Sequence, residues 1–246
     1  MSTTKIKSKA ELYEAVHDEF FNLSDEDITM PFNIFNLCEK KKNYSIKTAE
    51  LTTPGLRGVS LISKQPNLNC IILNSKLSEA EQNFHGFHEY CHTFLHNDDN
   101  SKFVCFDTPN VEQNSYVEWQ ANEGAAELMS PIFRFIPEFS KLYHLLENPQ
   151  NWSKYYGRID IYDLLALKYR YTPTVARLHI SSLSYEIDQY EKNGSLYGID
   201  ILSTNELIKY RIVPTDYNIE IAKRKASLNN YLHSVYSKRF FRLNAK

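Results

Sequence analysis

Residues 88–92 read His-Glu-Tyr-Cys-His, and this spacing constrains the chain more than any other feature. Side chains at i and i+4 of an α-helix share a face, about 6 Å apart along the axis. Two imidazoles placed so can close on one metal ion from the same side. Glu89 is rotated by about 100° from His88 and can reach a metal-bound water without competing for the ion. With 8 His in 246 residues, chance yields roughly 0.02 such motifs per chain. The plain alternative is an amphipathic helix carrying two ordinary histidines.

The flanking sequence supports a helix. Ser78-Glu79-Ala80-Glu81 has the form of a capping box, a hydroxyl and a carboxylate three residues apart. The helix is expected to run to about Leu95 and to break in His96-Asn97-Asp98-Asp99-Asn100. Phe84, Phe87, Cys91, Phe94 and Leu95 can bury it. Upstream, Leu12, Val16, Phe20 and Phe21 recur at helical spacing. Three short strand-like runs follow, at Tyr44–Leu51, Arg57–Ser63 and Asn69–Leu73. Thr53-Pro54-Gly55 and Gln65-Pro66-Asn67 separate them and predict an antiparallel meander. Residues 97–114 read as a loop or hairpin. A further helix is expected from Ser115 to just before Pro131, since proline pushes its predecessor out of the α region. The rest reads mostly helical, with a start at Thr172-Pro173 and a turn from Gly194 to Gly198.

A catalytic zinc takes three protein ligands and keeps one position open. Four residues compete for the third place. His96 is about 12 Å from His88 along a straight helix, too far to share an ion, and His85 fails similarly. Asp98 stands where a longer metal-binding pattern puts its last ligand, but Leu95 occupies the place of the glycine that turns that chain. Glu118, in Glu118-Trp119-Gln120-Ala121-Asn122, is the best placed. From the same face Asn122 can hydrogen-bond a ligand histidine. Ala121, Gly124, Ala125 and Ala126 would let the two helices approach closely. Glu118 could instead complete a capping box with Ser115, and Glu127 reads as a structural acid. Two imidazoles and a carboxylate favour Zn2+.

Composition excludes several classes. Lys plus Arg is 28 and Asp plus Glu is 30, for a net charge of −2, which gives no global footprint for nucleic acid or a membrane surface. Only 7 glycines are present and no Gly-rich phosphate loop is found. There is no run of 18 apolar residues and no signal-like start, so a cytoplasmic protein is expected. Cys38, Cys70, Cys91 and Cys105 form no C-x-x-C pair and read as reduced, mostly buried thiols.

His88 to His96 (HEYCHTFLH) and Glu118 to Pro131 (EWQANEGAAELMSP) together resemble the ImmA/IrrE family of metallopeptidases. The stretch 164–184 is similar to the helical segment closing that family's domain. The resemblance covers roughly residues 55–190. It implies an α+β, zincin-like fold with a small antiparallel sheet, an active-site helix pair and a mostly helical C-terminal part. It implies zinc on His88, His92 and Glu118, with Glu89 as catalytic base. The implied substrate is a protein, a helix-turn-helix transcriptional repressor cleaved in a stress or mobile-element switch, with no direct role for nucleic acid or membrane. The peptidase domain is expected over residues 1–195, followed by a basic, helical extension over 196–246. Two other readings stand beside it. One is a non-catalytic zinc regulator that binds a repressor. The other is a DNA-binding protein using the helices around Tyr169 to Leu183 and the basic tail from Ile221.

Overall fold

The computed structural model describes residues 8–25, 30–63, 68–96, 102–106, 115–147, 160–203 and 206–209. Helix α1 (Lys9–Asp25) buries Leu12, Tyr13, Val16, Phe20 and Leu23, the 3–4 spacing of an apolar stripe. Helix α2 (Ile34–Lys40) is capped by Asn33, whose side chain accepts from the amides of Phe35 and Asn36. Two turns are too short to show a period, and the sequence reading missed this element.

Strands β1 (Tyr44–Ala49), β2 (Leu56–Leu61), β3 (Asn69–Asn74) and β4 (Lys102–Phe106) form one sheet in the order β1-β3-β2-β4. The expected antiparallel meander is corrected here. β1 pairs parallel with β3, Ile46 opposite Ile71, while β2 runs antiparallel to both β3 and β4. The sheet is therefore mixed. Burial explains the order. β3 has more buried residues than any other strand of this sheet, Ile71, Leu73 and Asn74, so it takes an interior place. β1, with Lys47 and Thr48 exposed, takes an edge. The link from β1 to β2 must then cross the end of β3. Asn74 holds that crossing, because its amide donates to the carbonyls of Leu56 at 3.0 Å and Leu51 at 3.4 Å. The stretch read as loop or hairpin contains β4, the other edge. Its pairing with β2 is irregular between Leu56 and Gly58.

Helix α3 (Glu79–Leu95) lies on β2 and β3 and packs along α4 (Ser115–Met129). The predicted capping box forms, with Ser78 and Glu81 bonding each other's backbone amides. The remaining helices are α5 (Ile132–Glu147), α6 (Ile161–Tyr169), α7 (Pro173–Ser182) and α8 (Ser184–Asn193). Thr172 caps α7 with Pro173 at its first position, as the sequence predicts. Gly194, at φ +64°, ends α8 in the left-handed region where glycine carries no Cβ penalty. The hairpin β5 (Asp200–Ser203) and β6 (Glu206–Lys209) follows, with Ile201 buried in the core. The tail from Ile221 lies outside the described residues. One side chain ties distant segments together. Asn83 accepts from the Ile34 amide at 2.8 Å and donates to the carbonyls of Phe32 and Arg170 at 3.1 and 3.0 Å. No described helix is long and apolar enough to cross a membrane.

Candidate metal centre

Helix α3 presents two faces. Phe87, Tyr90 and Cys91 enter the core, while His88 and His92, fully buried, stand one turn apart towards α4. The histidine network fixes where their protons sit. His88 Nδ1 lies 2.9 Å from the Asn122 side-chain oxygen. That oxygen is an acceptor, so Nδ1 donates and Nε2 of the neutral ring keeps its lone pair. A longer relay sets His92. Gln120 Oε1 accepts from His96 Nε2 at 2.8 Å, and His96 Nδ1 can then accept from His92 Nδ1 at 3.1 Å. His92 Nε2 is left with its lone pair as well. Phe103 of β4 stacks on the His92 ring, centroids 4.2 Å apart and planes within 9°, and so fixes the ring plane.

Those two Nε2 atoms are 3.1 Å apart. The Glu118 carboxylate closes the third side, 3.3 Å from His88 Nε2 and 3.6 Å from His92 Nε2. Two lone pairs and a carboxylate at these separations repel unless a positive charge lies among them. Donor atoms about 2.0–2.1 Å from one tetrahedral ion lie roughly 3.3 Å from each other, so the three residues fit a zinc-sized ion. The same demand shows in protonation. Burial opposes charge on His88, but Cys105, Glu118 and Glu89 around it raise its pKa well above the ordinary value. Burial and the neighbouring His88 and His96 push His92 down.

Glu89 turns to the sheet side of α3. It is fully buried, and neither carboxylate oxygen has a hydrogen-bond partner among the described residues. Gly58 of β2 makes the space for it, since a Cβ there would lie 3.2 Å from Glu89 Oε1 and 3.1 Å from a Leu73 methyl. Burial pushes the Glu89 carboxyl up to about 7, while His88 and the nearby Ser60 favour its charged form. Cys105 of β4 completes this side. Its sulfur, a His88 nitrogen and a Glu89 oxygen lie within 4.8 Å of one another. A cleft of about 330 Å³ opens beside the cluster, lined by Phe84, His88, Cys105, Trp119 and Leu178 among others.

The structure thus brings His88, His92 and Glu118 to one point, where they could hold a metal ion, with Glu89 adjacent. Glu118 turns to the imidazoles, and Asn122 bonds His88 from behind. His96 buttresses His92 from the far side of the ring. His85 contacts Cys105 Sγ through Nδ1 at 3.5 Å, and burial pushes it down to about 3. Asp98 lies outside the described residues. Glu127 faces away, to His17 and the Ile132 amide. Sequence reading missed Gln120, Phe103, Gly58, Ser60 and Cys105. The first lies between two residues that it did single out, Glu118 and Asn122. The others sit on strands whose pairing no local pattern discloses.

A comparison with curated proteins finds no match. A family model described as the IrrE N-terminal-like domain, Peptidase M78, matches residues 40–159. That stretch is just under half of the 246 residues and holds every residue of the cluster just described. This segment is thus similar to the ImmA/IrrE family of peptidases.

Proposed function

We propose that the chain is a zinc-dependent endopeptidase, and that its substrate is a helix-turn-helix transcriptional repressor cleaved in the cytoplasm as a regulatory switch. The observation that carries the hydrolase reading is the convergence of two imidazole lone pairs and a carboxylate beside a buried, unpartnered glutamate. The family match supports peptide as the substrate class, and the resemblance described above supports a repressor.

His88, His92 and Glu118 would hold the ion. Zinc bound there would polarise the scissile carbonyl and acidify a water. The protein's own part is positional and protolytic. Asn122 keeps the proton of His88 on Nδ1, and Gln120 does the same for His92 through His96. Glu89 takes a proton from the attacking water and returns it to the leaving amine. The Gly58 gap leaves the carboxylate free to move, and burial keeps competing solvent away from it. β4 is an edge of the sheet beside the cleft, where an extended segment of substrate can add as a further strand.

A non-catalytic regulator would have no use for Glu89. A buried carboxylate with neither oxygen bonded is costly, and a purely structural metal site does not require one. The test pairs wild type with Glu89→Gln. Both are expected to bind one zinc per chain by metal analysis. Only wild type should cleave helix-turn-helix repressors from the same genome, seen as new termini by mass spectrometry. Cleavage or repressor release undiminished in Glu89→Gln would sink the hydrolase reading.

A further inference from the structure

The cleft that opens on His88 and Glu118 has a wall to which the proposed reaction gives no task. Helix α7 supplies it through Val175, Leu178 and His179, and α7 lies beyond residues 40–159 matched by the family model. Two bonds fix this wall to α4 and the residue that follows it. The Ser182 hydroxyl donates to Glu123 at 2.7 Å, and His179 Nε2 donates to the Ser130 carbonyl at 3.1 Å. The other walls carry Phe84 of α3, Phe106 of β4 and Trp119 of α4. Leu178 is 61% exposed. A lone exposed leucine calls for no explanation, but this one joins three aromatic side chains in a concave site that reaches the metal-facing residues.

What such a cleft accepts depends on whether its polar groups are free. Glu118 faces the two imidazoles. Glu123 Oε1 already takes the Tyr13 and Ser182 hydroxyls, with Lys9 4.0 Å away. His179 is committed through Nε2 to Ser130, and burial holds its pKa below the ordinary value. Among the described residues no Lys or Arg lines the cleft. A side chain entering it meets aromatic and aliphatic carbon and no charge that is not already engaged. The volume, about 330 Å³, is at the small end of ligand sites and suits one large side chain with its flanking backbone. Resting on the peptidase reading above, we propose that this cleft is the specificity subsite. It selects a large apolar side chain, of the leucine, methionine or phenylalanine kind, at one of the two residues flanking the scissile bond, and Leu178 sets that preference. Burying a leucine there is worth a factor of roughly 10–100 over alanine. A charged side chain would lose its hydration with nothing in the cleft to replace it.

The test has two arms. In the first, the zinc-loaded full chain digests a library of proteome-derived peptides, and mass spectrometry reads the residues on either side of each new terminus. Leu, Met or Phe should be favoured at one flanking position, by roughly 10–100-fold over Ala in kcat/KM. Leu178→Glu should erase that preference and raise cleavage beside Arg or Lys. Leu178 is exposed, so its replacement should leave the fold in place. Leu167→Glu, which changes an exposed leucine outside the cleft, should leave the preference as it is. The second arm needs no catalysis. N-acetyl-leucinamide should shift the Leu178 and Val175 methyl resonances of the metal-free full chain in a saturable way, and N-acetyl-argininamide should not. In Leu178→Glu the Val175 methyls should respond to the arginine compound instead. A cleavage profile with no apolar preference at either flanking position, or one unchanged in Leu178→Glu, would overturn the subsite and leave the peptidase reading intact. If no peptide is cleaved, the peptidase reading fails and the methyl shifts decide alone. Shifts with the leucine compound only would then support the subsite, and any other pattern would overturn it.

Discussion

Helix α4 carries acids on two faces that meet opposite chemistry. Glu118 faces the two Nε2 atoms of His88 and His92, atoms that the partners behind each ring leave without hydrogens while the rings are neutral. The other face meets donors. Glu127 takes His17 Nε2 at 2.5 Å and the Ile132 amide at 2.8 Å. Glu123 takes the Tyr13 hydroxyl at 2.6 Å and the Ser182 hydroxyl at 2.7 Å, with Lys9 4.0 Å away. These acids are supplied with hydrogens by the fold alone, although Glu127 Oε2 finds no partner among the described residues. An acid set against two imidazoles asks for a positive charge, whether a proton on His88 or a metal ion. Residue type and helix are the same, and the difference lies wholly in what the neighbouring helices present.

Exchanging the two acids in turn tests this most severely. Glu118→Ala should weaken zinc binding by more than about a hundredfold while shifting metal-free stability by less than about 1 kcal/mol. Glu127→Ala should do the reverse. Removing the acceptor of a buried amide and a buried imidazole should cost about 3 kcal/mol in urea unfolding, with one zinc still bound per folded chain. If both variants lose stability and keep zinc, the distinction between the faces fails.

Asn122→Ala sharpens the comparison from behind. Without its oxygen the His88 proton is free to move to Nε2, and zinc affinity should fall by about 10–100-fold in competition titrations. Gly124, between the two faces, should tolerate more. A Cβ there would meet Cys91 and Leu95 at 3.4 Å, an ordinary contact. Gly124→Ala should therefore change stability by less than about 1 kcal/mol, in the stabilising direction set by helix propensity.

Glu81, an acid in contact with water, gives the smallest effect. Its bonds to Ser78 hold its carboxyl below the ordinary range. A depressed folded-state pKa contributes stability above the unfolded carboxyl pKa, and that contribution fades as pH falls through the folded value. The gap in urea midpoint between wild type and Glu81→Gln should hold steady at neutral pH and close in acid.

The site's scaffold was more legible than its surroundings. Helices α3 and α4 announce themselves locally, through the Ser78–Glu81 box and the stop at Pro131. Spacing along those helices was enough to single out Glu118 and Asn122. The parallel pairing of β1 with β3 was not legible, because strand order follows from which strand the core buries most and not from the turns between them. His96 shows a subtler limit. Its distance along the axis excludes it from an ion at His88, yet that same one-turn spacing puts it against His92. Gln120, Phe103 and Cys105 join the cluster only through contacts between separate elements, which no periodicity encodes.

The carboxamide of Asn83 sits on the helix that bears His88 and His92, yet Phe32, Ile34 and Arg170, its three backbone partners, all lie outside the matched stretch 40–159. Trimming the protein to that stretch would strand a buried amide group one turn from the metal-facing residues. The recognisable half is thus no detachable cassette, and its helix is held in place by chain on both sides of it.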